Sequence, residues 1–108
     1  MMTTQPLPQP AKHALAKLAE DLSRARRRRR LTQRSLAERS GVSLATIKRL
    51  EGGDGRVAIE TLARVLQVLG AVRSLENLLD AGQDELGLIL ADQSLPQRVR
   101  DSGGSGAL

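Results

Sequence analysis

The sequence predicts an all-α fold: a compact domain of four to five short helices with flexible tails. Three observations predict it. Residues 31–51, LTQRSLAERSGVSLATIKRLE, place two capping hydroxyls and a stop glycine so that two short helices flank a fixed turn. Before them, Leu15, Leu18, Leu22 and Ala25 recur at three- and four-residue spacing. After them, Ile59, Leu62, Ala63, Val65, Leu66 and Leu69 repeat with the same helical period.

Residues 1–10 hold three of the four prolines and are expected to form a flexible tail. The first helix should run from Ala11 to about Arg29, and its arginine-rich last turn suits the negative end of the helix dipole. Thr32 caps the second helix, which carries Leu36 and Ala37 inward and ends at Gly41. Ser43 caps the third, with Ile47 and Leu50 on one face. Gly52, Gly53, Asp54 and Gly55 form a loop. The fourth helix should span Ala58 to Leu69. Ala58 stands where a capping Ser or Thr is expected, a loss of about 1 kcal/mol, partly offset by Glu60 in the first turn. Its apolar positions exceed one narrow stripe, so it is either central to the core or shared with a second subunit. SLENLLDA, after Gly70, predicts a short fifth helix with Leu75, Leu78 and Leu79. Glu85–Ala91 contains LGLIL, whose length fits a helical turn or a short strand. Pro96 interrupts the segment after it, and SGGSG at 102–106 reads as disordered. The domain is therefore expected at 11–81, with an acidic and apolar extension and a disordered tail at 82–108.

Composition excludes several classes of function. The chain has no cysteine, hence no disulfide, thiolate metal site or cysteine nucleophile, and its single histidine, His13, cannot build a metal cluster alone. No cofactor and no metal are expected, and no nucleophile–base pair suggests an enzyme. GGDG lacks the lysine and the strand-before-helix context of a nucleotide-binding loop. Neither a membrane-length apolar run nor a leader segment is visible, so the expected location is cytoplasmic, and nucleoid-associated when bound to DNA. Phe, Tyr and Trp are absent. Single-stranded nucleic-acid binders stack bases on such rings, whereas a duplex reader needs none. Apolar residues make up 40% of 108, enough for a small core that a second subunit would reinforce.

Charge divides the chain. Residues 24–56 carry eleven Lys/Arg against three acids, a local charge of +8. Residues 74–92 hold Glu76, Asp80, Asp84, Glu85 and Asp92 with no basic residue. A basic block on two helices about a turn fits a helix-turn-helix laid on duplex DNA, the second helix in the major groove. Within it Arg28, Arg34 and Arg56 are candidate phosphate contacts, although consecutive arginines point around a helix and cannot all face DNA. The acids at 76–85 are expected to be a solvated face.

The stretch LTQRSLAERSGVSLATIKRLEGG closely resembles the signature of phage-repressor-like proteins with a lambda-repressor-type DNA-binding domain. The match covers roughly residues 20–81 and rests on the joint spacing of Leu31, Gln33, Leu36, Ala37, Gly41, Val42, Ser43, Thr46, Ile47 and Glu51. The small size, the glycine loop, ETLARVLQVLG and LPQRVR are also similar to the antitoxins of HipA/HipB-type toxin–antitoxin pairs. The resemblance implies that Gln33 meets a phosphate, that Ser43 caps the recognition helix and reaches phosphate, and that Leu44, Ala45, Lys48 and Arg49 face bases with Thr46 beside them. It also implies that Glu51 pairs with Arg26, a structural role like that of Gly41. Among the base-facing residues Arg49 is the candidate for direct readout, because a guanidinium can pair with guanine N7 and O6. Leu44 and Ala45 can offer only apolar contact, for instance to a thymine methyl, so specificity would rest on few hydrogen bonds and on DNA shape.

Two functions compete. One is a dimeric repressor of a palindromic operator that is also the autoregulating antitoxin of a kinase-like toxin. The other is a stand-alone dimeric repressor. In the first, the helix four to five region and the acidic C-terminal segment hold the sister subunit, the toxin, or both; in the second, the tail serves only dimerisation. LGLIL by itself reads as local core packing or as a partner groove. A helix-turn-helix retained only as an interaction module conflicts with the basic block.

Overall fold

The computed structural model describes residues 5–80, 82 and 84–90, through which six helices run with no strand among them. The expectations for residues 1–4, for the Pro96 break and for the 102–106 stretch lie outside the described residues. The chain divides into two compact units, residues 1–75 and 76–108.

In the first unit, α1 (Gln9–Arg28) starts two residues earlier than the periodicity predicts, directly after Pro8. Pro10 is tolerated in its first turn because the amide it lacks has no partner there in any helix. α2 (Gln33–Ser40) and α3 (Leu44–Glu51) are capped as expected: Thr32 Oγ1 accepts from the Ser35 amide at 3.0 Å and Ser43 Oγ from the Thr46 amide at 3.0 Å. α4 (Ile59–Leu69) begins after Ala58, which makes no side-chain cap.

Four helices end in one way. In each, the amide of a left-handed residue donates to the carbonyl three back, and the next amide donates to the carbonyl five back. The left-handed residues are Arg30 (φ 56°), Gly41 (φ 74°), Gly53 (φ 89°) and Gly70 (φ 73°). The longer bonds run from Leu31 to Arg26, Val42 to Ala37, Asp54 to Arg49 and Ala71 to Leu66, at 2.8–3.2 Å. Arg30 is the one of the four that is not glycine.

The core is aliphatic. Leu22 of α1, Leu36 and Ala37 of α2, Ile47 and Leu50 of α3, and Val65, Leu66 and Leu69 of α4 form one buried cluster. α2 packs on α3 and α4, and α1 packs on α3. Of the broad apolar surface of α4, Val65, Leu66 and Leu69 are buried in the cluster and Leu62 and Ala63 are half-buried, while Ile59, at its first turn, is 74% exposed.

The fifth helix is displaced. α5 (Val72–Glu76) starts directly after the closure of α4, and only Val72 and Leu75 of this region reach the core. Leu78 and Leu79, expected to be its inner face, lie beyond it and are 71% and 81% exposed. Leucines at helical spacing make an inner face only where a core remains for them to cover.

In the second unit, the described part of the 85–91 segment is a helix, α6 (Glu85–Ile89), and not a strand. Asp84 Oδ1 accepts from the Gly87 amide at 2.9 Å, an N-terminal cap that an extended chain would not need. Leu86, Ile89 and Leu90 are exposed.

Candidate nucleic-acid interface

The turn between α2 and α3 sets which side of α3 faces outward. Gly41 adopts the left-handed conformation, Val42 packs on the core, and Ser43 re-caps the chain. Ile47 and Leu50 then point inward, Ile47 fully enclosed. Ala45, Lys48 and Arg49 are left exposed along the opposite side, at the three- and four-residue spacing of one helix face. Thr46 is half-buried, its hydroxyl 2.7 Å from Ser43 Oγ. Leu44 departs from expectation. It is half-buried and packs against the core cluster, so much of the side chain assigned to a base methyl is already covered.

Three polar side chains from three helices meet behind this face. Arg26 of α1 donates from Nε to Glu51 Oε2 at 2.7 Å and from Nη2 to Glu51 Oε1 at 3.1 Å. Its Nη1 donates to the Leu31 carbonyl at 2.8 Å. Gln33 Nε2 donates to Glu51 Oε1 at 3.1 Å. Glu51 therefore fixes the end of α1 and the start of α2 to the end of α3. The Arg26–Glu51 pair implied by resemblance is present. Gln33, expected on a phosphate alone, commits one amide hydrogen to Glu51 and keeps the other.

The loop after α3 holds a second cluster. Asp54 Oδ2 accepts from Arg49 Nε at 2.9 Å, and Asp54 Oδ1 accepts from Arg56 Nε at 3.1 Å and from the Arg56 amide at 3.0 Å. Arg56 Nη2 lies 3.5 Å from Oδ2. The Arg56 side chain, then its amide, then the Arg49 side chain hold the Asp54 carboxyl well below the usual carboxylate range. The same contact raises the Arg56 guanidinium above its ordinary value. Gly55 permits the close passage of this loop past α1, since a Cβ there would stand 2.5 Å from Leu15 Cδ1.

The remaining cations are open. Arg28, Arg34, Arg39 and Lys48 are exposed and form no ion pair among the described residues. Arg27 and Arg29 donate to the carbonyls of Ser23 and Ala25 on their own helix. His13 is exposed on α1.

Asp54 is the residue that sequence reasoning missed. It counted only as a loop member, yet its position between Arg49 and Arg56 (an acid five residues after one arginine and two before another) was a readable signal for a shared carboxylate.

Among the described residues no group of three or more His, Cys, Asp or Glu side chains is placed to hold a metal ion, and no helix is long and apolar enough to cross a membrane. Comparison with protein families matches residues 17–85 to the helix-turn-helix domain. No curated protein and no solved structure matches the chain.

Proposed function

The chain belongs to the helix-turn-helix domain family and is a DNA-binding regulator, and we propose that it is a sequence-specific transcriptional repressor of the lambda-repressor type that reads double-stranded DNA. The observation that carries this reading is the outer face of α3, where Ala45, Lys48 and Arg49 lie exposed while Ile47 and Leu50 anchor the helix from behind. Arg49 is assigned to a guanine edge and Lys48 to guanine or phosphate. Gln33, Ser43, Arg28, Arg34 and Arg56 are assigned to the phosphate backbone, which fixes register without reading sequence. Leu44, Ala45 and Thr46 complete the groove-facing surface. The DNA step is binding alone. A homodimer on a palindromic operator places two such helices about 34 Å apart, in successive major grooves on one side of the duplex.

The test is enrichment of sequences from a randomised duplex library, followed by titration of the enriched duplex at several salt concentrations. An enriched palindrome, with affinity falling steeply as salt rises, is the expected result. Failure to enrich any sequence would overturn the repressor reading.

A second reading is favoured by one observation. Leu78, Leu79, Leu86, Ile89 and Leu90 are 64–81% exposed within a segment rich in acids. Exposed apolar side chains that recur through one short stretch of sequence can serve protein contact. That supports an autoregulating antitoxin whose C-terminal segment meets a kinase-like toxin, as the resemblance implies. Co-purification from the native host separates the two: a stoichiometric kinase-like partner supports the antitoxin, and a bare dimer on DNA supports the stand-alone repressor.

A further inference from the structure

The closure of α3 differs from the other three in one residue. In this type of helix end, the residue after the left-handed position commonly makes an apolar contact with the last turn of the helix. After α1, α2 and α4 that residue is Leu31, Val42 or Ala71, each packed against the core cluster. After α3 it is Asp54, and the helix residue to which its amide bonds is Arg49. An ion pair between the side chains, Arg49 Nε to Asp54 Oδ2 at 2.9 Å, stands where the other three closures have an apolar side chain on the core.

Stability does not account for this choice. The Arg49 side chain is 51% exposed, and ion pairs at such positions contribute little to folding. What the pair does is restrict a long side chain. The backbone bond from the Asp54 amide to the Arg49 carbonyl, 3.0 Å, fixes the loop to the arginine it holds. Arg56 bonds to the same carboxylate through its amide and Nε, so the acceptor is itself held in place.

The identity of the bonded nitrogen sets what Arg49 can do next. Asp54 takes Nε, and no protein acceptor takes Nη1 or Nη2 among the described residues. The two terminal nitrogens form the end of the guanidinium fork, which can donate in parallel to the two acceptors of a guanine edge, N7 and O6. A guanidinium anchored at Nε is thereby limited to end-on approach and loses less freedom when it binds.

We propose that Asp54 is a specificity-determining positioning residue, which holds Arg49 by Nε so that its two terminal nitrogens meet one guanine end-on. This rests on the assignment of Arg49 to base readout, and the test separates the two. Asp54 touches no DNA in this scheme and acts only through Arg49.

The experiment compares wild type, Asp54→Ala, Asp54→Asn, Arg49→Ala and the Asp54→Ala/Arg49→Ala double variant. The probes are the duplex that wild type enriches from a randomised library, all its single-base variants, and a random-sequence duplex. Arg49→Ala should relax one base position. Asp54→Ala should lose about tenfold in discrimination at that same position, while binding the random duplex as well as or better than wild type, because a negative charge has been removed. Asp54→Asn, whose side-chain oxygen can still accept from Nε, should fall between. In the double variant the Asp54 change should add no further loss. Circular dichroism establishes that each variant is folded, and Asp54→Asn serves should Asp54→Ala unfold.

Full discrimination in Asp54→Ala at the position that Arg49→Ala relaxes would overturn the proposal and leave the readout by Arg49 standing. An equal change on all duplexes would also overturn it, making Asp54 a competitor for the arginine and not its guide. If Arg49→Ala relaxes no position, the readout assignment fails, and the role of Asp54 fails with it.

Discussion

Arg26 and Glu51, 25 positions apart in the chain, are joined by two hydrogen bonds of 2.7 and 3.1 Å, and their side chains are only 12% and 6% exposed. The arrangement is complete: Arg26 also reaches the Leu31 carbonyl, Glu51 also accepts from Gln33, and no buried polar side-chain atom among the described residues lacks a partner. Removing one member of such a pair leaves the other charged and enclosed. Glu51→Ala is therefore expected to lower unfolding free energy by about 3–5 kcal/mol, measured by urea denaturation. A loss below about 1 kcal/mol would mean that water reaches the pair as it reaches a surface ion pair.

Arg30 is the one non-glycine among the four left-handed helix closures. A side chain costs about 1–2 kcal/mol in that conformation, and glycine gives back part of this through the greater freedom of its unfolded chain. Arg30→Gly is expected to raise stability by about 0.5–1 kcal/mol net. The comparison is by chemical denaturation at equal salt, so that relief of repulsion among the neighbouring arginines does not vary between conditions. An unchanged or lowered midpoint would mean that Arg30 makes a compensating contact.

Thr32 and Ser43 each satisfy one amide at the start of a helix. Thr32→Ala and Ser43→Ala should each cost about 1 kcal/mol, and thermal denaturation of the single and double variants measures it. Ser43 should be the costlier of the two, because its hydroxyl also bonds to that of Thr46. Equal losses would show that this second bond adds nothing.

Gln33 spends one amide hydrogen on Glu51 and keeps another for a phosphate. Gln33→Ala should weaken binding to the preferred duplex and to random duplexes by the same factor, since a phosphate contact carries no sequence information. Titration of both probes at one salt concentration decides it. A selective loss on the preferred duplex would place Gln33 on a base.

What the sequence made legible was local. The caps at Thr32 and Ser43, the stop at Gly41 and the uncapped Ala58 each depend on a few adjacent residues, and all are as expected. What it concealed depended on how much core remained. Leu78 and Leu79 continue the helical spacing of Leu75, yet only Val72 and Leu75 pack against the core cluster while Leu78 and Leu79 are exposed, so spacing alone did not tell which leucines are covered. Leu44, read from the sequence as a groove-facing residue, is half-buried and packs partly against the core cluster, a division that helical position alone does not reveal. In the candidate site, Arg26–Glu51 was legible only through resemblance, because nothing within either segment identifies a partner 25 residues away. Asp54 was obscured because glycines on both sides mark its segment as loop and draw attention to backbone freedom, not to the carboxylate.

The Asp54 carboxylate should respond to its two arginines in a fixed order. Its pKa is depressed, foremost by the Arg56 side chain and next by the Arg56 amide, with the Arg49 side chain third. A depressed carboxyl contributes to stability above its unfolded pKa, and the contribution is lost only as pH falls through the lower folded value. Asp54 should accordingly stay ionised through mild acid, below the pH at which an aspartate of the unfolded chain takes up its proton. Tracked by NMR of the side-chain carboxyl carbon, its titration should move upward in both Arg56→Ala and Arg49→Ala, and further in Arg56→Ala. A larger shift in Arg49→Ala would make Arg49 the main partner and Arg56 the accessory. No shift in either variant would show that the carboxylate is solvated and that the arginines do not hold it.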